Sequence, residues 1–137
     1  MATITNRRLT LTPGANNTII TTVKCRVNFN PFEMAHMLAL PAVSHYQLRC
    51  QLWGRDTIVG EDLIDDLRFI YPIVKFFPDA TPTASEDFAF TIVLPRAFLN
   101  EDVVGLDEIY GRLTLRSHHS LVPVAGGRTN TVSIFIP

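Results

Sequence analysis

The chain has 137 residues, 47% of them hydrophobic and 18% charged, with nine Phe and a formal net charge of −1. That length suits one domain with its own core, and so apolar a composition argues against disorder. A near-neutral balance gives no global field to attract nucleic acid or anionic lipid, and no segment is apolar for long enough to span a bilayer. The opening MATITNRRLT holds no stretch fit for a signal peptide, so the expectation is a cytoplasmic domain without nucleic-acid partner or membrane span.

In chain order, a Thr-rich stretch over 2–11 leads into PGANN, a turn signal, and then into the clearest alternation in the sequence. Over 18–29, Ile19, Thr21, Val23, Cys25, Val27 and Phe29 share one face, and Thr22, Lys24, Arg26 and Asn28 share the other. Asn30-Pro31-Phe32-Glu33 supplies an N-cap, a proline at the first helical position and a Glu near the third, opening a helical turn to about Leu38. Alternation resumes over 46–54, with Tyr46, Leu48, Cys50 and Leu52 inward and Gln47, Arg49 and Gln51 outward. Leu67, Phe69 and Tyr71 mark another strand on one parity, and Phe88, Phe90, Ile92 and Leu94 a further one. A second short helical turn suits 96–103. Ile109, Leu113 and Leu115 then alternate with Tyr110, Arg112, Thr114 and Arg116, Gly126-Gly127 reads as a turn, and Val132, Ile134 and Ile136 line the last strand.

About seven strands with turn signals at this spacing predict an all-β fold, an antiparallel β-sandwich that is Ig-like or C2-like in shape, filling 1–137 as a single domain. Val23, Val27, Leu48, Leu52, Phe90, Ile92, Leu113, Leu115, Val132 and Ile134 are its expected core. Cys25 and Cys50 fall on inward positions. Two cysteines make no disulfide framework, so buried free thiols packing as small hydrophobes are expected, with a single inter-strand disulfide as the alternative.

If consecutive strands run antiparallel, the connections 55–66 and 95–108 emerge at one end, and 30–45, 78–87 and 117–128 at the other. The first two carry nine acids against Arg55 and Arg96, a local charge of −7. Ca²⁺ takes six to eight oxygens from carboxylates and carbonyls on loops, which makes Asp56, Asp62, Asp65, Asp66, Asp102 and Asp107 candidate calcium ligands. The run LWGRDTIVGEDLID over 52–65 resembles the aspartate-bearing loop of calcium-dependent C2 domains, and that resemblance implies calcium at the same end. It covers these fourteen residues and lacks the rest of the C2 pattern. A solvated rim paired with nearby Arg is the alternative. The same carboxylates arranged as acid and base define a third reading, a small hydrolase.

All four histidines, His36, His45, His118 and His119, gather at the opposite end, where imidazoles can hold Zn²⁺, Ni²⁺ or Cu²⁺, although the spacings follow no motif and 118 and 119 point apart on an extended backbone. No GxSxG elbow or CxxC is present. Ten of the twelve basic residues are Arg, suited to fixed or stacked contacts. Lys24, Arg26, Arg49, Arg112 and Arg116 lie on outward positions, with Trp53 and Tyr110 of the same parity. An acidic end and a basic face are complementary, and head-to-face contacts of that kind build oligomers. The expectation is therefore a non-enzymatic structural or interaction module without a cofactor, binding itself or a protein partner through Trp53, Tyr110, Arg49 and Arg112. The alternative is a calcium-dependent binding domain.

Overall fold

The stretches in which apolar and polar residues alternate are the strands. The computed structural model describes residues 1–56, 64–78, 81–99 and 106–135, with 56, 64, 65, 106, 107, 134 and 135 described by their backbone alone. In order, the elements are β1 (Thr3–Pro13), β2 (Thr18–Asn28), α1 (Pro31–Ala39), β3 (Tyr46–Asp56), β4 (Ile64–Ile70), β5 (Lys75–Phe77), β6 (Ser85–Pro95), α2 (Arg96–Leu99), β7 (Leu106–Ser117), β8 (Pro123–Arg128) and β9 (Val132–Phe135). One antiparallel sheet has the order β1-β2-β6, and the other has β4-β3-β7-β8, with β5 pairing β3 and β9 pairing β7. The fold is thus an all-β sandwich. Short β5 and β8, with few alternating apolar residues, are the two strands that periodicity does not reveal. No helix among the described residues is long and apolar enough to cross a membrane.

Local chemistry explains each boundary. In the turn between β1 and β2, Gly14 N–H donates to Thr18 O at 2.9 Å, and Asn16 and Asn17 take positive φ of 56° and 58°, a conformation Asn tolerates because its short side chain bonds locally. The expected cap opens α1: Asn30 Oδ1 accepts from Glu33 N–H at 2.7 Å and Glu33 Oε1 accepts from Asn30 N–H at 2.9 Å. Glu33 is buried, and its Oε2 also accepts from Ala2 N–H at 2.9 Å, tying the start of β1 to the helix. Gly126 and Gly127 lie inside β8 and do not form the expected turn, since they pair Thr114 and Leu113 of β7; the Arg7 guanidinium occupies the space that a Gly127 side chain would fill. Arg7 reaches there from a bulge in β1, where the register with β2 shifts between Thr5 and Arg8.

The core forms where the inner faces meet. Val23, Val27 and Phe90 of the smaller sheet and Leu48, Leu52, Leu113 and Leu115 of the larger one are all buried, as expected. Ile92 and Val132 are partly buried against them, and the Ile134 side chain lies outside the described residues. Gly111 lets the sheets approach closely, since an added Cβ would sit 3.0 Å from Val23 Cγ2. Tyr71 crosses between them, its hydroxyl donating toward Thr21 Oγ1 at 3.0 Å and Thr21 O at 3.2 Å. Leu67 leaves the face it was expected to share with Phe69 and is 45% exposed. A bulge opposite Leu52 and Trp53 sets Phe69 against Leu52 but Leu67 against Trp53, which turns Leu67 outward.

Cys25 and Cys50 are free and buried. Burial, followed by the Asp87 carboxylate, pushes the Cys25 thiol from 9.0 up to about 11. Burial and the neighbouring Cys25 push Cys50 up as well. For Tyr71, burial raises the phenol more than its hydrogen bond to Thr21 lowers it.

Leu48 and Leu113 are fully enclosed, so Leu→Ala at either is expected to cost about 2–5 kcal/mol in chemical denaturation; a cost below 1 kcal/mol, on the same scale, would contradict the packing. The thiols give a second expectation. A group whose folded value is raised contributes stability fully below its unfolded value and loses it as pH rises through the folded value. The melting temperature should therefore hold up to about pH 9 and fall toward about pH 11, the window that Cys25 spans, and Cys25→Ala should make that fall shallower. A flat profile across the window would rule out thiol burial.

Candidate interaction face

Antiparallel strands put directly paired residues on the same side of a sheet, so register alone builds the outer face of the larger sheet. Across β3 and β7, Trp53 pairs Tyr110, Gln51 pairs Arg112, Arg49 pairs Thr114 and Gln47 pairs Arg116. Across β7 and β8, Arg112 pairs Arg128 and Thr114 pairs Gly126. Four of the residues singled out by outward parity (Trp53, Tyr110, Arg49 and Arg112) thus share one face on adjacent strands. Lys24 and Arg26 do not join them, since they lie on β2 in the opposite sheet.

Stacking organises this face. The Arg112 guanidinium lies 4.4 Å from the Trp53 ring centroid, and that of Arg128 lies 5.1 Å from the Tyr110 ring centroid. Trp53 Nε1–H donates to Gln51 Oε1 at 3.0 Å, which fixes the plane of the indole. Such cation–π contacts are worth about 0.5–1 kcal/mol at exposed sites and leave the guanidinium edges open to acceptors. Tyr110 differs from expectation: it has outward parity but is fully buried. Its ring supports Arg128 and offers no exposed anchor. Trp53 is half-buried, and Leu67 and Ile70 beside it on β4 are 45% and 46% exposed.

The other outer face carries a cross-strand ion pair beside Arg8 and Lys24, which lie opposite each other across β1 and β2. Arg26 faces Asp87 in register and forms a two-pronged pair with it, Nε–Oδ1 at 2.9 Å and Nη2–Oδ2 at 3.2 Å. Each partner answers the other: the Asp87 hydrogen bond and charge raise Arg26, and the Arg26 hydrogen bond holds the Asp87 carboxyl below its usual range. Thr22 and Thr91 hydroxyls meet at 3.3 Å, and Asn28 bonds Thr3, Thr5 and Ser85. On the larger sheet, by contrast, Arg49, Arg112, Arg116 and Arg128 make no ion pair with any described residue, and the buried Nε of Arg116 has no hydrogen-bond partner among them.

The remaining candidates divide by end of the sandwich. Asp62 and Asp102 lie outside the described residues, as do the side chains of Asp56, Asp65 and Asp107. Asp66, half-buried on β4, is the one proposed calcium ligand whose side chain is described. The flanks of the two acidic connections do meet, Arg55 pairing Glu108. At the far end His118 N–H donates to His45 O at 2.8 Å, the His36 and His45 rings lie 5.6 Å apart, and those of His118 and His119 lie 5.5 Å apart. Residues 118–120 form a turn, which brings together two rings that an extended backbone would have separated. No group of three His, Cys, Asp or Glu suited to a metal ion forms among the described residues.

The architecture is that of a two-sheet antiparallel β-sandwich with one arginine-rich outer face. No protein-family model and no curated protein matches the sequence. Among solved structures, the sporulation control protein Spo0M from Bacillus subtilis is similar at 14% identity and a TM-score of 0.43, over 98% of this chain and 48% of that one. The X-ray structure of the Northeast Structural Genomics Consortium target SoR45 is similar at 8% identity and a TM-score of 0.35, over 100% of this chain and 86% of that one. This chain spans about half the length of Spo0M. Likenesses at this level carry no functional argument.

Proposed function

We propose that the domain is a non-enzymatic interaction module that docks a protein partner, first of all a second copy of itself, through the outer face of the larger sheet. The observation that carries this reading is the Arg112–Trp53 stack, 4.4 Å deep, set beside exposed Leu67 and Ile70. Aromatic residues and Arg dominate interface energetics because they combine large apolar area with directional charge. The apolar neighbours supply the area to be desolvated. The arginines select the partner and speed its approach, since charge complementarity affects encounter and register more than affinity.

A second copy supplies the matching charge. Segments 55–66 and 95–108 together carry nine acids and two bases, in a chain whose net charge is only −1. A contact between that end of one copy and the sheet face of the next is heterologous, and it closes into a ring or extends into a filament.

Light scattering across a salt series tests the reading. The oligomer is expected to be largest at 0.01 M salt, where charges are felt over about 30 Å, and to weaken by 0.15 M, where screening acts within about 8 Å. Trp53→Ala should dissociate it and leave the melting temperature within a few degrees of the parent. A monomer at low salt and high protein concentration would defeat self-docking. An oligomer indifferent to both salt and Trp53→Ala would move the interface off this face.

A further inference from the structure

Three segments meet at the end of the sandwich that holds the histidines. His45 N–H donates to Phe77 O at 2.5 Å, and His118 N–H donates to His45 O at 2.8 Å. Ring contacts run from Phe32 to His36 and on to His45, and from Phe76 to His118 and on to His119, with centroids 5.4–5.8 Å apart. Leu40 O lies 3.2 Å from His45 Nε2. The turn after β7 is closed by Leu121 N–H donating to Ser117 O at 2.8 Å and Ser117 N–H donating to Val122 O at 2.9 Å. Phe32, Leu40, Phe76, Leu121 and Val122 project from this assembly, each between 47% and 75% exposed. Large apolar side chains clustered at a surface mark an interaction site.

Charge indicates what covers them. Segments 30–45, 71–77 and 117–123 hold a single acid, Glu33, which is buried and accepts from Asn30 and Ala2 N–H. The adjoining 78–85 adds only Asp79. Four imidazoles, Lys75 and Arg116 supply polar donors, Arg116 lying across Gln47 from Phe76 in register. The nine acids of 55–66 and 95–108 belong to the opposite end: Tyr46 pairs Ser117 here, and Arg55 pairs Glu108 there, about 30 Å away at about 3.3 Å per residue. That is beyond the roughly 8 Å over which charges act at physiological salt, so a net charge of −1 conceals an acid-poor end. From this juxtaposition we infer that the end formed by α1, β5 and the turn after β7 docks on an anionic lipid surface. The five apolar side chains enter the boundary of the acyl chains, and the imidazoles, Lys75 and Arg116 reach headgroup phosphates. Peripheral binding of this kind grows with buried apolar area and with attraction to anionic lipid, and His and Lys join an apolar body to a polar tip. Fluid acyl chains fill the space between separate tips, whereas a protein partner needs a matching shape. The inference concerns a surface apart from the arginine-rich face and does not depend on docking there.

Cosedimentation of the full chain with vesicles tests it, one set of phosphatidylcholine alone and one with phosphatidylserine added, both at about 0.15 M salt. The chain is expected to pellet with the mixed vesicles and to stay largely in solution with the neutral ones. Phe32→Ser and Val122→Ser should each weaken binding about tenfold, the loss of one large apolar side chain. Leu40→Glu, which brings a carboxylate into the acid-poor end, should weaken it further. All three side chains are exposed, so the variants should melt within a few degrees of the parent. Trp53→Ala should bind vesicles as the parent does. A parent that pellets with neither vesicle would overturn the inference, as would equal binding to both or binding that all three folded variants retain. An oligomer formed without lipid and lost on Phe32→Ser would also overturn it, by assigning this end to a protein contact.

Discussion

The pairing of β3 with β7, running from Tyr46 opposite Ser117 to Arg55 opposite Glu108, is the constraint on which the rest of the structure depends. These two strands sit at the centre of the larger sheet, and side chains along a strand alternate strictly between its faces. Aligning Leu48 with Leu115 and Cys50 with Leu113 fills the core. The same alignment sets Trp53 beside Tyr110 and Arg49 beside Thr114 on the other side. A slip of one residue would drive the arginines into the core and the leucines into water. Burial of the inner face thus specifies the outer one, and the arginine-rich surface keeps its geometry without needing to stabilise the fold.

The two outer faces handle charge differently, although both carry basic residues. On the smaller sheet Arg26 is matched by Asp87 across the strand pair, with 45% and 70% of their side chains exposed, and an exposed pair of that kind adds little stability. It neutralises Arg26 alone, since Arg8 and Lys24, opposite each other across β1 and β2, make no ion pair with a described residue. On the larger sheet Arg112 and Arg128 are braced by aromatic rings instead of carboxylates. A ring holds a guanidinium in place without discharging it. That contrast distinguishes the two faces by how their arginines are held, a carboxylate on one and aromatic rings on the other.

Much of this was legible in the sequence because period-2 alternation is a long signal. Ile19 through Phe29 announced β2, and Asn30 through Glu33 announced the cap of α1, since both rest on local spacing. What escaped notice depends on contacts between distant residues. The bulge that turns Leu67 outward arises from its pairing with β3. The strand character of Gly126 and Gly127 comes from their pairing with Thr114 and Leu113 of β7. Parity correctly grouped Trp53, Tyr110, Arg49 and Arg112, but it gave no depth, so Tyr110 looked like an exposed anchor when it is a buried support. Arg128, which completes the cluster, has no alternating neighbours to mark it. Its pairing with Arg112 becomes visible only once β8 is recognised as a strand.

The central claim is that the outer face of β3, β7 and β8 is where the domain meets its partners. Backbone amide chemical shifts, followed by NMR as the protein is taken from dilute to concentrated solution at low salt, test it most directly. The account predicts concentration-dependent shifts at 49–53, 110–116 and 126–128, with residues 22–26 and 87–91 of the smaller sheet unchanged. Shifts confined to the smaller sheet, with the arginine-rich strands silent, would contradict it.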